Sequence, residues 1–491
     1  MLTTAAVVPD APPERTAVLP RGGGQRGAGM QIAVGFVLVL LVYCTSQNLD
    51  TGDGFSTLPS AHSLLYDGDL DLGEFQGTQW YATHYGLVDL GDRRVTYFPW
   101  FGAVIAAPFV AAGDGLSTLG LVTNSAEAMQ EGSVGWLHLL PASAVSAAAA
   151  VVLGLLTRRL FVLRSEGRHA TTDPLGPWSL TAWIVLLGLA TSLWSVASRS
   201  MGQHAPSVLL GGGAMLLLVH LLGRDAPVRP QRASALLGAL LALSYWERPT
   251  NLVLTAVALG VLVLRRRHLV RPMLLGTATV HVLMLAANAL LVGRAVPPYF
   301  TGGRVGWHDE LPEAVAANLV SPARGLLLFS PFVLGALLLA LPGRRASLSR
   351  DLGTYALIGG LGALAYLAVV SGFKESWWAG ESYGPRFMTE SLILLGPLAL
   401  VGLFGPAPGA RVPRAARLGA ASLLFVWSFL VHGGGASVPA VDCWNTARAH
   451  APAPGVWDWS RPQLLEGPRL IAERGWSGAT RAGCDSILDD A

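Results

Sequence analysis

This sequence has little charge and a single lysine, Lys374, among its 491 residues. Charged residues make up 13% of the chain, against about 25% in ordinary soluble domains, so a water-soluble fold of this size is excluded. The basic residues are almost all arginines in short segments, and none forms the clustered basic face that nucleic-acid binding needs. These absences indicate a membrane protein that does not bind nucleic acid.

Cysteine is also scarce, with three in the chain. Cys44 lies in an apolar block and lacks the small preceding residues of a lipidation site, so packing is its predicted role. Cys443 and Cys484 lie in the polar C-terminal tail. A disulfide between them would require an oxidising compartment, and the sequence leaves the paired and unpaired states open.

Apolar residues, by contrast, are abundant and arrive in blocks. They make up 52% of the chain, and blocks of roughly 15 to 25 residues match a hydrocarbon core about 30 Å thick. The pattern predicts an all-α, polytopic membrane protein of about eleven transmembrane helices. The predicted blocks are 31–46, 136–157, 177–197, 205–223, 233–246, 250–264, 272–292, 325–342, 353–371, 387–405 and 417–432.

The positions of the arginines predict an orientation, because short cytoplasmic segments contain an excess of basic residues. More than half of the 34 basic residues fall on one side if the N-terminus is inside. Residues 1–29 are then a disordered cytoplasmic tail, 30–432 form the transmembrane domain, and 433–491 form an extracytoplasmic tail. The first loop, 47–135, is also extracytoplasmic, and its segment 98–112 is predicted to be an interfacial helix.

Ionisable residues are rare inside the predicted spans, where burying a charge is costly. Only His138, His220, His281 and Glu390 lie between the span ends. Proton-coupled transporters keep acidic or basic relays at this depth, so the pattern disfavours an ion-driven pump. Packing is the predicted role of each histidine.

Two carboxylates follow the first predicted span closely. Asp50 and Asp53 lie within a turn or two of its end, at the water boundary. One interpretation is a solvated helix cap. The other is a general base that accepts a proton from a hydroxyl brought from the aqueous side.

The acidic run that comes next resembles the start of a calcium loop. Asp67, Asp69 and Asp71 have the right spacing, but Leu72 replaces the invariant glycine and Thr78 stands at the twelfth position. A turn at the end of a helix is therefore predicted. No other cluster has convincing ligand spacing, so no metal site is predicted.

Further polar and aromatic residues collect in the other predicted outer segments. Guanidinium groups there would match phosphate oxygens bidentately, whereas the alternative is ordinary interfacial anchoring by Arg and Trp. The candidate substrate-binding residues are His204, Glu247, Arg248, Arg324, Lys374, Trp377, Trp378, Glu381, Tyr383 and Arg386.

Several of these segments have a familiar order. AHSLLYDGDLDL, YFPWFGAVIAAPF, QHAPS, RPTN, SPARGLLLFSP and WWAGESYGPRF together resemble bacterial members of the GT-C superfamily of integral membrane glycosyltransferases. The resemblance covers about 31–405. It implies inverting transfer of a sugar from a polyprenyl-phosphate donor to a glycan, lipid or protein acceptor at the outer face of the bacterial inner membrane, with no cofactor.

The resemblance also implies roles for individual residues. Asp53 corresponds to the base of that family, with Asp50 as the nearest alternative. The departing lipid phosphate would be stabilised by one or more of the basic residues Arg248, Arg324, Lys374 and Arg386. The aromatic residues Trp377, Trp378 and Tyr383 would stack on a sugar or anchor the chain at the interface.

Two other functions stay open on the sequence. A transporter or flippase of lipid-linked glycans would share the helices and the arginines but would need no base. Inverted internal repeats would favour transport, and none is visible in the sequence. A noncatalytic assembly protein with the same fold would show no turnover.

Overall fold

The computed structural model describes residues 23–49, 52–131, 135–165, 176–301, 303–406, 412–448 and 454–485. Most of the predicted N-terminal tail lies outside the described residues, and so does Asp50. The described chain is mostly helical. In chain order its α-helices are α1 (Gly23–Cys44), α2 (Thr57–Tyr66), α3 (Gln79–Thr83), α4 (Phe101–Ser117), α5 (Ser125–Glu131), α6 (Gly135–Ser165), α7 (Ser179–Leu189), α8 (His204–Leu222), α9 (Pro230–Glu247), α10 (Leu252–Arg265), α11 (Val270–Leu291), α12 (Leu311–Val320), α13 (Leu326–Phe329), α14 (Pro342–Arg345), α15 (Arg350–Ser371), α16 (Leu392–Phe404), α17 (Arg414–Ser437), α18 (Cys443–Arg448) and α19 (Gln463–Ala479).

Seven helices in the described part of the chain are long and apolar enough to cross a membrane, as expected of a polytopic membrane protein. Some of them join an α-helix to a preceding 3₁₀ turn. Their bounds are Gly27–Cys44, Gly135–Arg164, His204–Leu222, Arg267–Leu291, Arg350–Ser371, Arg386–Phe404 and Arg414–Ser437.

The other four predicted blocks form shorter or less regular helices. Block 177–197 becomes α7 and a π-helix, Leu193–Ala197, and blocks 233–246 and 250–264 become α9 and α10. Block 325–342 contains α13 and a ten-residue 3₁₀ helix, Pro331–Ala340. A 3₁₀ helix rises about 2 Å per residue, so this short element still covers considerable length. The count of eleven spans and the orientation stay predictions.

The predicted first outer loop, 47–135, contains a small sheet, which corrects the expectation of a purely α-helical chain. Strands β1 (Leu87–Leu90) and β2 (Arg93–Thr96) pair antiparallel. Their turn contains Gly91, whose positive φ of 70° suits a residue without a Cβ. The segment 98–112 is helical as predicted and lies mostly in α4, whereas its position in the membrane interface stays a prediction.

The acidic run after α2 is a turn, as predicted. Asp67 is the C-terminal cap of α2. Asp69 Oδ1 accepts a hydrogen bond from the backbone N–H of Asp71 (3.0 Å), and Asp71 Oδ1 accepts one from the N–H of Arg94 (3.0 Å). Asp69 therefore closes the turn, and Asp71 holds it against strand β2 of the hairpin.

Helices α9 and α11 pack closely against each other, and Arg248 follows directly after α9. A Cβ on Gly238 would lie 1.9 Å from Met273 O, and a Cβ on Gly276 would lie 1.9 Å from Ala235 O. Only glycine permits α9 and α11 to approach this closely at these two points.

The described part of the C-terminal tail is folded onto the rest of the chain. Helix α19 packs against α17, and Trp444 and Leu470 share a buried apolar cluster with Trp377. Cys443 and Cys484 form a disulfide with a Cα–Cα distance of 5.4 Å. The structure thus resolves the pairing that the sequence left open.

Candidate active site

A cavity of about 800 Å³ lies where the predicted first outer loop meets five later segments of the chain. Its lining combines charged, polar and aromatic side chains, and it includes both a carboxylate predicted as a base and several arginines. The lining side chains that carry the argument below are Asp53, Tyr85, Tyr97, Arg248, Tyr299, Arg304, Phe373, Glu381, Arg386, Phe387, Asp442 and Asn445.

Asp53 lies in the cavity wall with 28% of its side chain exposed. Its Oδ1 accepts a hydrogen bond from the Tyr85 hydroxyl (2.6 Å), and its Oδ2 forms an ion pair with Arg386 Nη2. Burial alone would raise the pKa of Asp53, but the Arg386 charge and the Tyr85 hydrogen bond hold it below its ordinary value. The carboxylate is therefore charged at neutral pH.

The residue after Asp53 explains how the loop reaches this position. A Cβ on Gly54 would lie 2.7 Å from Ser200 Oγ and 3.0 Å from the backbone nitrogen of Gly202. A larger residue would push the loop away from the segment before α8. Glycine therefore lets Asp53 approach His204 and Arg386.

A buried network supports the arginines from behind. Glu390 is fully buried and accepts hydrogen bonds from His204 Nδ1 (2.9 Å) and the Tyr366 hydroxyl (2.9 Å). Arg248 Nε lies 3.4 Å from Glu390 Oε2, the oxygen that accepts from Tyr366. A lone carboxylate at this depth would be costly, and its partners offset that cost.

His204 links this network to Asp53. Its Nε2 lies 3.2 Å from Arg248 Nη1 and 3.3 Å from Arg386 Nε. A guanidinium can only donate, so Nε2 accepts and the ring proton lies on Nδ1, from which it is donated to Glu390. The neutral imidazole therefore connects the pair Asp53–Arg386 to the pair Arg248–Glu390.

Arg304 is placed differently from the other two cavity arginines. Its guanidinium lies 4.8 Å from the centre of the Tyr97 ring and 5.8 Å from that of Tyr299, a cation–π arrangement. No carboxylate within the described residues forms an ion pair with it. The Arg304 side chain is exposed and contacts two aromatic rings. Its charge is therefore available to bind an anion.

Four other predicted binding residues do not line the cavity. Glu247 is buried against Gly102, and Lys374 is exposed. Trp377 Nε1 donates to Glu310 (2.7 Å), and the Tyr383 hydroxyl donates to Val431 O (2.8 Å). The polar atoms of these two aromatic side chains are therefore bonded to protein groups, and neither ring lies in the cavity lining where it could stack on a sugar.

Arg324 and Trp378 also lie outside the cavity lining. The Arg324 guanidinium donates to the carbonyls of Ala323 (3.0 Å), Trp378 (2.6 Å) and Gly380 (3.0 Å) and to the side chains of Gln463 and Asn445. The structure therefore brings His204, Arg248, Glu381 and Arg386 together with Asp53. Arg324 instead lies in a buried hydrogen-bonded cluster with Gln463 and Asn445, here called the hub.

Sequence reasoning missed several cavity residues. Tyr85, Tyr299 and Asn445 lie in segments with no charge pattern or helical periodicity to single them out. Tyr97 carried a signal, because it belongs to the YFPW segment that contributed to the resemblance. Within the described residues, no group of three or more His, Cys, Asp or Glu side chains could hold a metal ion.

Fold and cavity together define a polytopic membrane protein in which three carboxylates and three arginines line one cavity. No family model and no curated protein matches the chain. Two solved structures are similar to it. One is ArnT from Cupriavidus metallidurans bound to undecaprenyl phosphate, with 16% identity, coverage of 92% of this chain and 77% of that chain, and a TM-score of 0.45.

The other is the archaeal oligosaccharyltransferase AglB from Archaeoglobus fulgidus, in complex with an inhibitory peptide and a dolichol-phosphate. It shows 12% identity, coverage of 90% of this chain and 60% of that chain, and a TM-score of 0.47. Because the identities and TM-scores are low, the similarity by itself assigns no activity to this chain.

Proposed function

We propose that this protein is a GT-C-type glycosyltransferase that moves a sugar from a polyprenyl-phosphate donor to an acceptor hydroxyl. The observation that carries the proposal is that Asp53 lines one cavity with Arg248, Arg304 and Arg386. A carboxylate and several guanidinium groups in one cavity are what base-assisted displacement of a phosphate requires.

The arginines provide the site for the donor phosphate. Arg386 is paired with Asp53 and Arg248 with Glu390, whereas Arg304 has no acidic partner among the described residues. Arg304 is therefore the first contact for the donor phosphate. Phe373 and Phe387 add apolar surface to the same cavity, which suits the lipid side of such a donor.

Donor binding also prepares the base. Both Asp53 oxygens accept hydrogen bonds in the structure, one from Tyr85 and one from Arg386. A donor phosphate that recruits Arg386 would free Oδ2 and remove the charge that lowers the Asp53 pKa. Asp53 would then be a stronger base when the donor is in place.

The transfer step is a single displacement. The acceptor oxygen attacks the anomeric carbon, its proton moves to Asp53 Oδ2, and the bond from that carbon to the phosphate oxygen breaks. The polyprenyl phosphate leaves with the bonding electron pair, and the arginines stabilise its charge. One displacement inverts the anomeric centre. We place this reaction at the extracytoplasmic face of a bacterial inner membrane.

The test is sugar transfer from a polyprenyl-phosphate donor in proteoliposomes. We expect Asp53→Asn to lower the transfer rate by about 10²- to 10⁴-fold, the range for loss of a positioned base. Asp89→Asn, in the exposed hairpin, is the matched control and should retain the wild-type rate.

Two results would contradict this assignment. Equal transfer by Asp53→Asn and wild type would remove Asp53 as the base. Translocation of a fluorescent lipid-linked sugar by both proteins, with no transfer to any acceptor, would instead support the flippase alternative.

A further inference from the structure

The segment after α17 supplies part of the cavity that contains Asp53. Asp442, Cys443 and Asn445 line it together with Glu381. These residues are distinct from the three arginines assigned to the donor phosphate. The C-terminal segment therefore forms part of the site, although nothing in its sequence suggested a role.

The orientation of the Asn445 amide is fixed by its neighbours. Its Oδ1 accepts hydrogen bonds from Arg324 Nη2 (3.0 Å) and from Gln463 Nε2 (3.1 Å). Because arginine can only donate, the atom facing Arg324 must be the oxygen. The NH₂ group of Asn445 consequently points away from this hub.

Gln463 is fixed in the same way. Its Oε1 accepts from Arg324 Nη1 (2.6 Å) and from the N–H of Gly384 (3.0 Å), and its Nε2 also donates to Ser382 O (3.0 Å). Each amide in the hub therefore has a single allowed orientation. Arg324 acts through this hub as a positioning residue for Asn445.

The NH₂ group of Asn445 has no protein partner in the described residues. The residue is 1% exposed, yet no described group accepts a hydrogen bond from its Nδ2. A hydrogen-bond donor on a cavity wall can donate to an acceptor inside the cavity. Because Asn445 lines the cavity, an oxygen atom of a bound ligand is the partner that this donor lacks.

Two carboxylates lie on the same wall. Asp442 Oδ1 accepts a hydrogen bond from Asn48 Nδ2 (3.1 Å), and Glu381 is exposed at the cavity surface. Carboxylates accept hydrogen bonds from hydroxyl groups and repel a second phosphate. A hydroxyl group can both donate to a carboxylate and accept from Asn445.

We propose that Asn445, Asp442 and Glu381 form the acceptor subsite, and that the acceptor is a neutral, hydroxyl-rich glycan. This inference rests on the proposed transfer reaction. The phosphate of the donor is assigned to the arginines, and the uncharged acceptor is assigned to the subsite. Asp53 lines the same cavity as both sets of residues.

Two isosteric variants test the subsite. Asn445→Asp keeps the oxygen that faces Arg324 but removes the donor, and Asp442→Asn removes a negative charge. We expect each to raise the KM for a neutral disaccharide acceptor about tenfold or more, because a lost partner leaves polar groups unpaired. The KM for the donor, measured in the same assays, should change less than the KM for the acceptor, because the donor phosphate is assigned to the arginines.

Asn124→Asp, in an exposed segment before α5, is the control. Acceptor preference gives a second readout: wild type should prefer a neutral disaccharide to its phosphorylated form, and Asp442→Asn combined with Glu381→Gln should narrow that preference. An unchanged acceptor KM in both single variants, or equal use of the phosphorylated acceptor by wild type, would overturn the inference.

Disaccharide binding separates this inference from the reaction itself. Thermal stabilisation of Asp53→Asn by neutral disaccharides, lost on adding Asn445→Asp, would support the subsite even if no transfer were observed. Stabilisation that is equal in the single and double variants would overturn the subsite while leaving the role of Asp53 untouched.

Discussion

Asp53 and Arg386 form an ion pair at the cavity although 333 positions separate them in the chain. The pair joins the predicted first outer loop to the start of the helical segment Arg386–Phe404. Arg386 also contacts His204, which contacts Glu390. The candidate base is therefore connected to the buried network by a continuous path of polar contacts.

The pH dependence of donor use should report the pair of Asp53 and Arg386. The pKa of Asp53 is lowered, so the acid limb of the profile of kcat/KM for the donor should lie below pH of about 4, the ordinary range for aspartate. Arg386→Gln should move the limb upward, because the raising effect of burial is then no longer offset. Arg294→Gln is the control, and a limb that stays in place in Arg386→Gln would contradict the coupling.

The same pair has a consequence for stability. A carboxyl group with a lowered folded pKa stabilises the fold above its unfolded pKa, and this contribution is lost as the pH falls through the folded value. Denaturation should therefore show that Asp53→Asn destabilises the protein at pH 7 and has a smaller effect at pH of about 3.

Arg304 should govern donor affinity. We expect Arg304→Ala to raise the KM for the donor about tenfold or more, since a charge-assisted hydrogen bond to phosphate is lost. Initial rates at several donor concentrations would measure this effect. Arg294→Ala, an exposed residue of the same loop, should leave the KM unchanged, and an equal effect of both changes would indicate general attraction of the anionic donor.

Glu390 should be more important for stability than for contact with substrate. Glu390→Gln would leave the buried Arg248 charge without its counter-ion, and loss of one partner of a buried pair costs about 3–5 kcal/mol. Thermal unfolding in detergent would measure the loss. Exposed Glu127→Gln should unfold like wild type, and an equally small effect of Glu390→Gln would contradict the network.

The disulfide should hold two residues of the proposed acceptor subsite, Asp442 and Asn445, in place. Cys443 lies between Asp442 and Asn445, and its bond to Cys484 closes a loop with a separation of 41 residues. Removing both cysteines should cost about 2–4 kcal/mol and raise the acceptor KM. Cys44→Ser, which leaves this bond intact, should show neither effect. Reductant should lower the unfolding temperature of wild type but not of the double variant.

Sequence reasoning reached part of this site. Charge in apolar surroundings is costly, so Glu390 stood out inside a span, and the arginines stood out in the loops. It did not separate Arg324 from Arg386. Both are arginines in similar segments, and only their neighbours decide that one binds carbonyls in a hub and the other binds Asp53.

The amino-acid sequence alone determined that the chain is a helical membrane protein, because low charge and apolar blocks follow directly from the solvent that a bilayer provides. It also directed attention to Asp53. Only the tertiary structure decided which residues share the cavity with Asp53, that the β-hairpin supports the loop, and that the C-terminal segment contributes Asn445. Those contacts join residues from about twenty to more than three hundred positions apart, and no local periodicity records them.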